Sequence, residues 1–187
     1  MGISIHYTFV RRKPLEALLQ QVAAKARRKG MRVERCSTIH LLINPHPDSE
    51  SIDLHFREWK ALQKIDDASE DTDECKWLRQ TLEHDFGRVL RDDDWVCQSF
   101  TKTQFAGWQC HCDVAELLRF VGAYCRLVEI SDEAGYYEAG TDRYEPVKAA
   151  FDSSSRVIGE FTGVLKETFG SDNVLCAQDR EDKMGES

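Results

Sequence analysis

The chain has 187 residues, 41% of them hydrophobic, and a formal net charge of −8. That composition supplies one domain with a real core, and its acidic balance argues against nonspecific binding to nucleic acid or to an anionic membrane. No apolar run approaches the ~20 residues that span a bilayer, and Met1-Gly-Ile-Ser-Ile-His6 lacks a signal peptide's basic-then-apolar pattern, so the expected location is the cytoplasm.

Residues 3–10 alternate, with Ile3, Ile5, Tyr7 and Phe9 on one side and Ser4, His6 and Thr8 on the other, which reads as a half-buried strand. Pro14 opens a helix whose stripe is Leu15, Leu18, Leu19, Val22 and Ala26, and Gly30 stops it. Residues 31–36 form a short strand. Residues 38–57 form a hairpin, with Ile39, Leu41 and Ile43 on one arm and Ile52, Leu54 and Phe56 on the other. The turn residues Asn44-Pro-His-Pro-Asp-Ser-Glu50 make its projecting loop.

The acidic stretch 64–75 has no glycine for the sharp bend of a calcium loop, and it reads as a solvated linker. Asp71 and Glu74 are spaced as a capping box for a helix that turns Leu78, Leu82 and Val89 inward. Residues 95–105 form a strand. Ala106-Gly107 turns it into a helix with Val114, Leu117, Leu118, Val121 and Cys125 on one face, and residues 126–131 return as a strand. Asp142 and Glu145 cap a long helix to about Phe169, with a stripe of Val147, Phe151, Ile158, Phe161, Leu165 and Phe169.

The expected fold is one α+β domain over residues 1–170, a mostly antiparallel sheet with helices packed mainly on one face. Each half opens strand–helix–strand, a weak sign of a pseudo-duplicated layout. Residues 171–187 read as a polar, partly disordered tail.

Seven cysteines without a CxxC pair suit reduced thiols. Cys110-His111-Cys112 is tight, but neighbours on a helix point about 100° apart and do not close easily on one metal. The basic residues Arg11, Arg12, Lys13, Lys25, Arg27, Arg28 and Lys29 read as a solvated helix face. His6, His40 and His55 all lie on strands, opposite the larger apolar stripe. Whether they meet depends on strand order.

Two stretches could carry a site. In the first, Lys102 and Gln104 leave a strand and His111 follows one turn into a helix, which offers a charge, a directional hydrogen bond and a proton. In the second, Asp132, Glu133 and Glu138 sit beside Gly135 and Gly140 with Tyr136 and Tyr137. Clustered carboxylates repel unless a cation, a basic group or water neutralises them, and they can act as acid and base or hold a metal. The alternative is that Lys102 pairs structurally with Glu129 or Asp132, and that the acidic segment is a surface hairpin. No nucleophile elbow, P-loop, dinucleotide fingerprint or HExxH motif is present.

Lys102-Thr-Gln-Phe-Ala-Gly107, Leu117-Leu118-Arg119 and Ser131-Asp-Glu-Ala-Gly-Tyr-Tyr-Glu-Ala-Gly140 occur in that order. Together with Asn44-Pro-His-Pro47 and Ser49-Glu50, they resemble a group of uncharacterised bacterial proteins across most of residues 1–165. Ala134 stands where that group has a second glycine, and Tyr137 where it has tryptophan. The resemblance implies no activity.

The leading expectation is a small binding protein for a small or anionic ligand, or for a protein partner. Its groove is framed by Lys102, Gln104, His111, Asp132, Glu133, Tyr137 and Glu138. One alternative is a metal-assisted hydrolase using these carboxylates with His46 or His111. The other is an acidic inhibitor or immunity-type module that docks on a basic partner. No cofactor is called for by a motif, and a divalent metal is an option at these carboxylates or, should their strands be neighbours, at His6, His40 and His55.

Overall fold

A computed structural model describes residues 3–65, 73–139 and 144–169. The expected capping residues Asp71 and Asp142, and the expected polar tail, lie outside the described residues. So does the site candidate Glu138 as regards its side chain.

The alternating start is β1 (Ser4–Arg12), followed by α1 (Glu16–Arg28), β2 (Arg32–Cys36), β3 (His40–Asn44), β4 (Ile52–His55) and β5 (Arg57–Glu58). Then come α2 (Trp59–Leu62), α3 (Asp73–Phe86), β6 (Asp94–Lys102), α4 (Gly107–Gly122), β7 (Leu127–Asp132), α5 (Tyr136–Ala139) and α6 (Tyr144–Phe169). One sheet has the order β5-β6-β1-β7 and the other β2-β3-β4, and every pairing is antiparallel. The expected α+β class is the one the chain adopts.

The strand–helix–strand start occurs in both halves, but the two diverge. β2 leaves for the second sheet, whereas β7 returns beside β1, so that β1 lies between β6 and β7. This is a split βαβ arrangement, and α4 is its crossover.

The two sheets meet along residues 50–58. Glu50 N–H donates to the Lys102 carbonyl at 2.9 Å, and Arg57 pairs with Val96 further along β6. Between them, the buried Tyr7 hydroxyl accepts from Asp53 N–H at 3.0 Å and donates to the Asp53 carbonyl at 3.2 Å. Tyr7→Phe leaves Asp53 N–H without that acceptor and its carbonyl with only the Cys97 thiol at 3.8 Å, and is expected to cost about 1–3 kcal/mol, read as a lower urea midpoint at unchanged m-value.

Ile5, Tyr7 and Phe9 of β1 are buried in the main core with Leu18, Leu19 and Val22 of α1 and Leu117 and Leu118 of α4. Val10 and Val96 belong to a smaller cluster with Trp59, Leu62, Leu78 and Leu82, contributed by α2 and α3. By strand alternation this cluster lies on the opposite sheet face. Two expected inward residues differ. Val89 lies beyond α3 and is exposed. The stripe of α6 is buried at Val147 and Phe151 but surfaces at Phe161, which is 63% exposed. Periodicity assigns residues to one helix face but does not say how far a neighbour covers it.

Candidate functional site

Register brings the two candidate stretches together at the start of β1. Ser4 pairs with Lys102 on one side, and Ile5 pairs with Asp132 on the other. At Gly107 (φ +83°) and Gly135 (φ +72°) the chain turns into α4 and towards α5. A side chain in that left-handed region costs roughly 1–2 kcal/mol.

The join is a buried chain of side chains. The Thr103 hydroxyl lies 2.7 Å from His111 Nδ1, and His111 Nε2 lies 2.8 Å from Asp132 Oδ1. Thr103 and His111 are fully buried, as is the Asp132 side chain. The Asp132 carboxylate only accepts, so His111 Nε2 donates to it. Asp132 Oδ1 also accepts from Ala134 N–H at 2.8 Å, and Oδ2 from Tyr137 N–H at 2.8 Å. Burial raises the Asp132 pKa, but the bond and charge of His111 and the two backbone bonds outweigh it, holding the carboxyl below its ordinary value. One carboxylate thus fixes an imidazole on α4 and organises the turn into α5.

Arg119, one turn before the end of α4, completes the lock. Its guanidinium donates to the carbonyls of Tyr136 and Tyr137, each at 2.6 Å, and lies 5.0 Å from each tyrosine ring centroid. The Tyr136 hydroxyl donates to Glu116 at 3.2 Å, and Glu116 in turn accepts from Lys29 at 2.7 Å.

Lys102, Gln104 and Tyr137 are half-buried and Glu133 is exposed. Glu133 Oε2 accepts from Ser4 N–H at 2.7 Å, and Glu133 N–H donates to the Ser4 carbonyl at 3.2 Å. Asp132 pairs with His111, and among the described residues no carboxylate is within ion-pair reach of Lys102. His111 and Asp132 therefore meet beneath this surface, in the interior, while Lys102, Gln104 and Glu133 reach it.

The strand histidines separate. His40 and His55 are cross-strand partners with rings stacked at 4.5 Å, and His40 Nε2 bonds Asp53 at 2.8 Å. His6 lies in the other sheet and stacks on Phe100. His46 reaches Asp48 at 3.6 Å in the projecting loop. Among the described residues, no group of three or more His, Cys, Asp and Glu side chains is placed to hold a metal ion. No helix there is long and apolar enough to cross a membrane.

Thr103 and Arg119 are the members that sequence reasoning missed. Both stand in the sequence only within the segments that carry the resemblance. A hydroxyl on a strand end eight residues before a histidine was the available signal for Thr103. No family model, curated protein or solved structure matches this chain.

Proposed function

We propose that this chain is a binding protein whose working surface is the polar rim at the start of β1, where Lys102, Gln104, Glu133 and Tyr137 frame a place for a small anionic ligand. The observation behind this is the convergence of two distant stretches on Ser4 and Ile5, above a floor fixed by Thr103, His111 and Asp132. A preorganised floor loses little entropy on binding, and the Lys102 ammonium has no carboxylate partner among the described residues. Kinship with the bacterial group that the sequence resembles belongs to the same proposal, since the resembling segments are the ones that build this end.

The test is a thermal-shift series with phosphate, sulfate and citrate on wild type, Lys102→Met and Glu133→Gln. At least one anion should raise the wild-type melting temperature, as any ligand of the native state does. Lys102→Met should remove that shift while changing stability by about 1 kcal/mol or less. If both variants merely unfold, or if no anion moves the wild type, the proposal fails.

A second reading rests on the hydroxyl–imidazole–carboxylate order of Thr103, His111 and Asp132, which resembles a catalytic triad. In the serine-protease arrangement the hydroxyl bonds Nε2 and the carboxylate bonds Nδ1. Here the nitrogens are exchanged, and Thr103 is fully buried. Binding is therefore the better-supported reading. Labelling of Thr103 by a fluorophosphonate probe would reverse that preference.

A further inference from the structure

We infer a second anion site, at the opposite end of β1 from the Lys102 rim, that takes a small molecule carrying two or more phosphate groups. Arg11, Arg12, Lys13, Arg91 and Arg126 line one surface depression of about 530 Å³, with Tyr124 at its edge. Five cations at one place are unexpected on a chain of net charge −8. They come from three separate segments, so sequence spacing alone did not show them together. Arg11 and Arg12 end β1, Arg91 precedes β6, and Arg126 precedes β7.

Charge accounting decides how much of this patch is free. Arg12 Nε is 3.0 Å from Asp93, and Arg126 bonds the buried Asp94. Subtracting those two from the five leaves three, Arg11, Lys13 and Arg91, with no carboxylate within ion-pair reach among the described residues. Asp92, next in sequence to Arg91, is exposed and carries the nearby opposing charge.

Two of the uncompensated groups, Arg11 and Lys13, are also held in place. Arg11 donates from Nε to the Pro14 carbonyl at 3.3 Å, from one terminal nitrogen to the same oxygen at 3.2 Å, and from the other to the Tyr124 carbonyl. Carbonyls position a guanidinium without neutralising it, and two of its five N–H donors stay unused. Lys13 Nζ sits 4.7 Å from the Trp95 ring centroid, an attraction that also leaves its charge in place. Solvated surface cations need no such fixing.

An open depression that carries guanidinium forks matches phosphate oxygens in pairs. The acidic remainder of the chain repels a long polyanion, so a compact ligand is favoured over nucleic acid or a membrane surface. Ser4 and Arg12 are eight residues apart on one strand, or roughly 26 Å, which separates this site from the rim.

Inorganic pyrophosphate is the probe, titrated calorimetrically at low ionic strength into wild type, Lys13→Ala, Arg91→Ala and Lys102→Met. Wild type should bind, with affinity falling as salt rises. Lys13→Ala and Arg91→Ala should each weaken binding by about tenfold, the loss of one charge-assisted contact. Both side chains are exposed, so these variants should melt as wild type does. Lys102→Met should retain the binding event that Lys13→Ala and Arg91→Ala weaken, whatever it does to binding at the rim, which keeps this result independent of the rim. Absence of binding at millimolar pyrophosphate overturns the inference. So does binding that ignores the Lys13 and Arg91 replacements, or retention on single-stranded DNA by a chain that ignores pyrophosphate.

Discussion

Asp132→Ala should destabilise the protein by about 3–5 kcal/mol, because each buried donor left without its acceptor costs about 1–3 kcal/mol. Three donors lose their acceptor at once: His111 Nε2–H and the N–H groups of Ala134 and Tyr137. Urea unfolding at neutral pH measures the loss. Asp132→Asn keeps an acceptor oxygen and the side-chain volume, and should cost less.

The same carboxylate sets an acid limit. Its pKa is lowered in the folded chain, so it binds a proton less readily there than in the unfolded chain, where the value is about 3.9. Its contribution to stability is therefore complete above the unfolded value and is lost as pH falls through the lower folded one. Wild type should lose stability across that acid window, and Asp132→Asn should show a shallower decline there. Parallel slopes in the two proteins would mean that other carboxylates control the acid arm.

Asp94→Ala carries the second large effect, expected at about 3 kcal/mol. Asp94 is fully buried at the start of β6. It accepts from Arg91 N–H at 2.8 Å and from Arg126, through Nε at 3.3 Å and a terminal nitrogen. Removing it takes the acceptor of Arg91 N–H from the turn of residues 91–94 and leaves a partly buried guanidinium with the Val89 carbonyl alone. Arg126→Met should cost less than Asp94→Ala, because Asp94 keeps the Arg91 N–H. The double replacement should cost less than the sum of the two. A double-mutant cycle by chemical denaturation reads that coupling, and additivity within about 0.5 kcal/mol would show that the pair acts as two independent groups.

Much of the frame was legible in the sequence because it depends on local periodicity. The alternation of Ile5, Tyr7 and Phe9 gave β1, the stripe of Leu18, Leu19 and Val22 gave α1, and Ile43 opposite Ile52 gave the hairpin. The carboxylate-rich segment after β7 was recognisable as a place of compensated charge, and His111 as one of its candidate neighbours. Neither periodicity nor composition carried the register that sets Ser4 between Lys102 and Glu133, nor the strand order that separates His6 from His40 and His55. Those depend on contacts between residues far apart in the chain. The exposure of Phe161 has a similar origin, because whether a face is covered depends on a neighbour's length. The basic residues 11–13 looked like one solvated run with 25–29, and only the fold sets them beside Arg91 and Arg126.

The most direct test of the buried lock is the solvent exchange of the His111 ring N–H, followed by 15N-resolved proton NMR across neutral pH. With His111 enclosed between Thr103 and Asp132, the Nε2–H signal should persist with slow exchange in wild type and vanish in Asp132→Ala. A His111 ring proton that exchanges as fast as that of exposed His6 would contradict the account, because the two chain segments would then lack the link that builds the surface above them.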